Sequence, residues 1–453
     1  MICNKPLRVF DDQVIKFLGD LSAELFKSPL VHQYPDLSAF AFYIRKANLL
    51  KLRSTLFPAT QSPDTPSSLS CDSCLSWFNQ ELSSRLGRGL CFHIAPANIP
   101  VNFAFTWVFS LLAGNANIVR LPSKDFPQVD ALLTVIKAHL ARYPELETRN
   151  LFVKYPRTDN ETTATYCQMA DCRMIWGGDR TIASIKALPT KPRCVDICFA
   201  DRYSVALINA EAVMAADETQ LARLAEGFYN DTYLMDQNAC SSPQVILWEV
   251  GALGSGEVGA LGSGEVGTLG SEEVGELGSG EVGKAREKFW KAVEDVAKKK
   301  YVLQDAVAVD KYTLFCEEAV NNSLIKRVCR SGNLLYRIEL KALSAQLPNS
   351  PTSQLPNFLT SQLPNSLTSH RGKAGFFFEY VLKDREEFFS VVTEKFQTII
   401  QFGIDASELA QQIAAAHLRG IDRIVPIGKA MDIGVFWDGH DLIRELSRVV
   451  AQS

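Results

Sequence analysis

The run Gly87-Arg88-Gly89-Leu90-Cys91-Phe92-His93-Ile94-Ala95-Pro96-Ala97-Asn98-Ile99-Pro100, continued by apolar residues to Ala113 and stopped at Gly114-Asn115, decides how this chain folds. Residues 88–94 carry the short apolar pattern of a buried strand, and 95–100 form a proline-flanked loop. The apolar run that follows predicts a helix, with glycine and asparagine as its C-terminal stop. Residues 100–114 are also the most membrane-like part of the chain. A spanning helix needs roughly 20 predominantly apolar residues, so a buried core helix is expected and no transmembrane segment. Residues 117–121 read as the next strand.

Downstream the alternation continues. Asp125-Phe126-Pro127 opens a helix with an acidic residue and an early proline, and Val129, Leu132, Leu133, Ile136 and Leu140 fall at helical spacing on its inner face. Residues 151–154, 173–176, 195–199 and 205–208 predict strands, and Gly177-Gly178-Asp179 turns into a helix through Ala187. Strands alternating with helices imply an α/β fold built on open parallel sheets. Upstream, 14–25 and 36–52 are helical. The expected division is an N-terminal helical section over 1–86, a cofactor-binding domain over 87–210, a second α/β domain over 211–430, and a C-terminal segment over 431–453.

Two low-complexity arrays interrupt the second domain. One covers 249–283 and repeats every eight residues from Glu249-Val250-Gly251-Ala252-Leu253-Gly254-Ser255-Gly256; the other, 346–370, begins Gln346-Leu347-Pro348-Asn349 and restarts at Gln354 and Gln362. Ordering a residue costs roughly 1–2 kcal/mol, and glycine-serine octads bury little apolar surface in return. Each array is too short and polar to stack as a solenoid, so both are expected as loop insertions.

The chain has 453 residues, 47% of them hydrophobic and 22% charged, with a formal net charge of -4. That content builds globular domains, and without a basic block nucleic acid is excluded as a partner. The start, Met1-Ile2-Cys3-Asn4-Lys5-Pro6, lacks the apolar core of a signal peptide, so a cytoplasmic protein is expected. Eleven cysteines are an odd number for a disulfide framework. The close pair Cys71 and Cys74 reads as surface coincidence, and no metal spacing is present.

Three loops combine turn character with useful chemistry: 96–100, 177–181, and Asp236-Gln237-Asn238-Ala239-Cys240-Ser241-Ser242-Pro243. The first two follow predicted strands, where open sheets bind ligands and helix N-termini offer N–H groups to phosphate. No G-x-G-x-x-G fingerprint occurs. Cys240 sits among polar residues, which does not suit a small buried hydrophobe and does suit a nucleophile. His93 reads as a core histidine rather than a base.

Beyond these patterns, His93 to Pro100 followed by Gly114-Asn115-Ala116-Asn117 resembles the aldehyde dehydrogenase superfamily. Trp176-Gly177-Gly178-Asp179, 236–244, Gly420-Ile421-Asp422-Arg423-Ile424-Val425-Pro426-Ile427-Gly428 and Trp437-Asp438-Gly439 resemble, more specifically, the LuxC fatty acyl reductase family of bacterial bioluminescence. The resemblance implies an aldehyde dehydrogenase-like fold with two Rossmann-like α/β domains. It also implies NADPH-dependent reduction of a long-chain acyl thioester to the fatty aldehyde, through an acyl-enzyme on Cys240. Asn98 and the Cys240 backbone N–H are then the oxyanion donors, each worth about 3–4 kcal/mol in the barrier. Arg120, Ser123 and Lys124 fall where related enzymes touch the adenine ribose, and Gly177 and Gly178 form the phosphate turn. A cation there attracts a 2′-phosphate. The donor is acyl-CoA or an acyl-protein supplied by a synthetase partner, and a homo-oligomer is expected.

The Glu-Leu-Gly-Gly run of the oxidising relatives is missing; Val195-Asp196-Ile197-Cys198 stands in its place, which argues against hydrolysis of the thioester. Glu379 offers a weak match to a ribose-binding glutamate. Two other readings stay open: a cysteine acyltransferase or thioesterase without redox chemistry, and a non-catalytic homologue.

Overall fold

The computed structural model describes residues 2–58, 82, 84–96, 99–250, 271–344 and 366–451. The chain divides into two compact units, residues 1–201 with 433–453 and residues 202–432.

The first unit is organised by five parallel strands, β2 (Leu90–Ile94), β3 (Ala116–Arg120), β4 (Asn150–Val153), β5 (Cys172–Trp176) and β6 (Val195–Phe199), in the order β4-β3-β2-β5-β6. This is a doubly wound order, whose direction of winding reverses between β2 and β5. The strands are apolar because helices cover both faces. The helices are α5 (Asn102–Leu112), α6 (Pro127–Leu140), α7 (Pro144–Glu147), α8 (Asn160–Met169) and α9 (Asp179–Lys186). Every residue of α5 is buried, as expected of a core helix, and no helix among the described residues is long and apolar enough to cross a membrane. Gly114 ends α5 at φ +89, where an added Cβ would lie 2.3 Å from the Leu7 carbonyl oxygen.

The N-terminal helices α1 (Asp12–Lys27), α2 (Leu30–Gln33), α3 (Pro35–Tyr43) and α4 (Lys46–Leu56) share one core with this sheet rather than standing apart. Phe17 meets Trp107 edge-on at 6.0 Å and Phe40 meets Phe105 at 5.3 Å. The C-terminal segment also returns here, pairing β16 (Ser447–Val449) with β1 (Arg85–Gly87). Asn115 fastens the two ends: its Oδ1 accepts from the N–H groups of Arg88 and Gly89, and its Nδ2 donates to Leu446 O.

The second unit holds seven strands: β7 (Tyr203–Asn209), β8 (Pro243–Glu249), β9 (Ile325–Ser331), β10 (Leu335–Leu340), β11 (Phe376–Val381), β12 (Phe396–Phe402) and β13 (Arg423–Pro426). Their order is β13-β12-β7-β8-β11-β10-β9, parallel except at β9–β10. The strand alternation places β7 in the cofactor sheet, but β7 pairs with β8 and β12 instead. Alternation along it sends Val205 and Leu207 to one core and Ala206 and Ile208 to the other. Around this sheet lie α10 (Ala210–Ala215), α11 (Glu218–Asp231), α12 (Ser271–Lys300), α13 (Asp305–Asn321), α14 (Arg385–Phe389) and α15 (Ala406–Ala415). The short strands β14 (Phe436–Trp437) and β15 (His440–Asp441) and helix α16 (Leu442–Glu445) complete the first unit.

The first repeat array is not loop throughout. Helix α12 begins at Ser271, and Val282 of the last repeat is only 2% exposed, packed with Ala285, Phe289 and Trp290. Val282 can join that face because the later turns of α12 supply the rest of it. Residues 251–270 and most of the second array, 345–365, lie outside the described residues, as do Cys71 and Cys74.

Candidate functional site

At the carboxyl edge of the first sheet a cavity of about 440 Å³ is lined by Ile94, Ala95, Pro96, Arg120, Leu121, Ser123, Arg157, Trp176, Gly177, Gly178 and Thr181. It straddles the point where the strand order reverses, the position at which open α/β sheets bind ligands. Helix α9 starts here with Gly178 as its cap and no side-chain cap hydrogen bond. Such a start leaves backbone donors for an anion. A Cβ built on Gly178 meets nothing within 4 Å, so a ligand has room to approach the backbone. The buried Trp176 Nε1 has no hydrogen-bond partner.

Four of the five expected cofactor residues line this cavity: Arg120, Ser123, Gly177 and Gly178. Lys124 does not; it is exposed, with its ammonium 5.2 Å from the Phe126 ring centroid. The cation that sequence reasoning passed over is Arg157, on the loop after β4, whose Nη2 donates to Thr181 Oγ1 at 2.8 Å. No local pattern marks it. Arg120 is held over the Tyr155 ring at 4.5 Å. Two arginines, a serine and an uncapped helix start fit a dinucleotide with several phosphates.

Asn98, the expected oxyanion donor, lies outside the described residues. Asn102, in the first turn of α5, is 1% exposed and neither atom of its amide finds a partner. His93 is fully buried against Asn117 Oδ1 at 3.0 Å, and burial pushes it down to about 4, which suits a core residue. Asp196 grips Arg173 with both oxygens at 2.6 Å and is therefore engaged as an ion pair. Glu379 is likewise occupied: it accepts from Trp248, Trp290 and Arg286, and is 1% exposed.

In the second unit Cys240 is half-buried in a turn directly ahead of β8, at the amino edge of that sheet. The turn is tightly specified. Asp236 and Gln237 both adopt positive φ, 50° and 59°. Backbone of that kind costs of order 1–3 kcal/mol per residue and is kept where the surroundings enforce it. Here the Gln237 amide does so, donating to the carbonyls of Pro243 and Phe376 and accepting from Gly375 N–H. Ser204 Oγ donates to Cys240 O at 2.7 Å, and Ser242 Oγ to Asp231 O at 2.7 Å. The polar residues around Cys240 thus form its frame. Three other thiols, Cys167, Cys194 and Cys198, are pushed upward by burial, Cys194 to about 11, which keeps them protonated.

Solved structures place this architecture. Aldehyde dehydrogenase 21 from Physcomitrella patens, in complex with succinate, matches 97% of this chain and 85% of its own at 11% identity, TM-score 0.56. An NAD-dependent benzaldehyde dehydrogenase from Corynebacterium glutamicum matches 96% and 82% at 11% identity, TM-score 0.52. Bifunctional proline utilization A matches 96% of this chain at 14% identity, TM-score 0.54, and the chain spans only 42% of that protein's length. At such identities the likeness is one of fold: the chain is a mixed α/β protein of aldehyde dehydrogenase-like fold. Within that class its resemblance is to the LuxC acyl-CoA reductase family, whose model matches residues 73–263. No curated protein matches the chain.

Proposed function

We propose that this protein reduces a long-chain fatty acyl thioester to the fatty aldehyde through an acyl-enzyme on Cys240. One observation carries the reading: the acyl-CoA reductase match over 73–263 takes in the Asn98 loop, the residues of the first-unit cavity and Cys240.

The Cys240 thiolate attacks the acyl carbonyl, a carbon–sulfur bond forms and the donor thiolate leaves. Asn98 and the Cys240 N–H steady the oxyanion. NADPH, when bound, supplies the hydride that reduces the thioester. The resulting hemithioacetal collapses, its carbon–sulfur bond breaks, and Cys240 is regenerated as the aldehyde departs. Arg120, Ser123, Arg157, Gly177 and Gly178 would hold the cofactor, with Lys124 contributing at most long-range charge. Asp196, locked to Arg173, is not available to activate water, which supports reduction over hydrolysis. The acyl donor is acyl-CoA or an acyl-protein delivered by a synthetase, and the setting we propose is a cytoplasmic homo-oligomer.

Purified protein should consume NADPH with long-chain acyl-CoA and yield an aldehyde that a hydrazine reagent captures. Release of CoA and free acid without NADPH oxidation would instead establish a thioesterase.

A further inference from the structure

The amino edge of the second sheet carries a charged cluster that the proposed reaction does not use. Arg423 begins β13 at the same edge from which β8 receives Cys240. Its guanidinium donates to three carbonyls of one loop: Ala430 at 2.7 Å, Lys429 at 2.8 Å and Asp432 at 2.7 Å. Asp231, 1% exposed at the end of α11, holds the same loop by its N–H groups, accepting from Gly428 at 2.6 Å and Ala430 at 2.9 Å. Gly428 is at φ +92, and a Cβ there would lie 3.0 Å from Gly227 Cα, so the loop lies directly on α11. Met431, at the centre of this clasp, accepts from Ser241 Oγ at 3.7 Å, next to Cys240.

We infer that Arg423 is a positioning residue for the nucleophile: it fixes the 428–432 loop against the Cys240 turn and keeps a permanent positive charge within electrostatic reach of the thiol, favouring thiolate. The inference rests on the reading of Cys240 as nucleophile and deepens it. Arg423 and Cys240 are close enough to interact electrostatically. An arginine stays charged at every pH at which a thiol titrates. An opposite charge within reach favours the ionised form of an acid. Other charged groups on this edge include Asp231, Asp236 bonded to Tyr301, Asp432 paired with Lys429, Asp422 paired with Arg202, Arg371 against Arg202, and Lys395. Of these, Asp231 is pushed up to about 7 by burial, so below neutrality it does not offset the arginine.

The test is alkylation of Cys240 by iodoacetamide from pH 5 to 9.5, read on the Cys240 peptide by mass spectrometry, with Cys3 and Cys316 as references in the same sample. No acyl donor or cofactor is present, so the outcome is independent of the proposed reaction. Wild-type Cys240 should titrate below the ordinary thiol value of about 8.5. Arg423→Gln should raise the midpoint by about one pH unit and slow alkylation at pH 7 roughly tenfold, whereas Arg423→Lys should keep the midpoint within a few tenths. A wild-type midpoint at or above 8.5, or a folded Arg423→Gln protein with an unchanged midpoint, overturns the inference. A lowered, Arg423-dependent midpoint in a protein that forms no acyl adduct would leave this inference standing and remove the proposed function.

Discussion

Asp231→Asn isolates the energetic consequence of burying a carboxyl group beside the Cys240 turn. Burial pushes Asp231 up from 3.8 to about 7, while the Gly428 and Ala430 N–H groups pull the other way and lose. In the unfolded chain the same group ionises near 4. Between pH 4 and 7 the folded protein therefore binds one more proton than the unfolded chain, and stability must fall as pH rises through that window. At about 1.4 kcal/mol per pH unit over some three units, the loss approaches about 4 kcal/mol, and it is complete above pH 7. Asparagine keeps the shape and one acceptor but cannot ionise. Urea unfolding followed by tryptophan fluorescence, at half-unit steps from pH 4.5 to 8, should show the variant gaining on wild type by several kcal/mol as pH rises. Parallel curves for the two proteins would mean that Asp231 is ionised throughout and that the two N–H donors outweigh burial.

Three further outcomes are expected. Gly280 and Gly283 sit inside α12 with nothing within 4 Å of an added Cβ, so each Gly→Ala change should stabilise by about 0.5–1 kcal/mol in the same unfolding assay. Glu379→Gln removes one of the two carboxylates, Glu379 and Glu339, that hold the buried Arg286 and should cost about 1–3 kcal/mol of stability, while NADPH affinity of the folded protein, measured by fluorescence titration, stays within twofold. Arg157→Gln should weaken NADPH binding about tenfold or more and reduce its preference over NADH further than Lys124→Glu does, because only Arg157 lines the cavity; equal effects in a binding titration would restore Lys124.

Much of the first unit was legible because its central strands β2, β3 and β5 are buried on both faces. Largely apolar runs such as 90–94 and 116–119 then mark them, and the turns between them carry proline and glycine. The cavity followed partly from the same logic: the turn after β5 places Gly177 and Gly178, whereas Arg120 and Ser123 came from the family resemblance. What escaped depends on long-range pairing. Nothing local tells β7 that its neighbours are β8 and β12. Helix α12 was hidden by glycine-rich octads, whose weak propensity is overridden once Val282 joins the buried face that Phe289 and Trp290 continue. Arg157 stands alone in a loop and only the β4–β5 geometry gives it a purpose. The Cys240 run was visible as a polar cluster, but the positive φ of Asp236 and Gln237, and the Asp231–Arg423 clasp on the 428–432 loop, arise from contacts made far along the chain. The Gly420 to Gly428 motif was legible as resemblance and acquires a physical role only through that clasp.

The central claim is that Cys240 carries the acyl group. Intact-mass measurement after incubation with palmitoyl-CoA in the absence of NADPH tests it most directly. The account predicts one added acyl mass on wild type, none on Cys240→Ala, and loss of the adduct with aldehyde release once NADPH is supplied. An adduct that survives in Cys240→Ala, or no adduct on folded wild type, would contradict it.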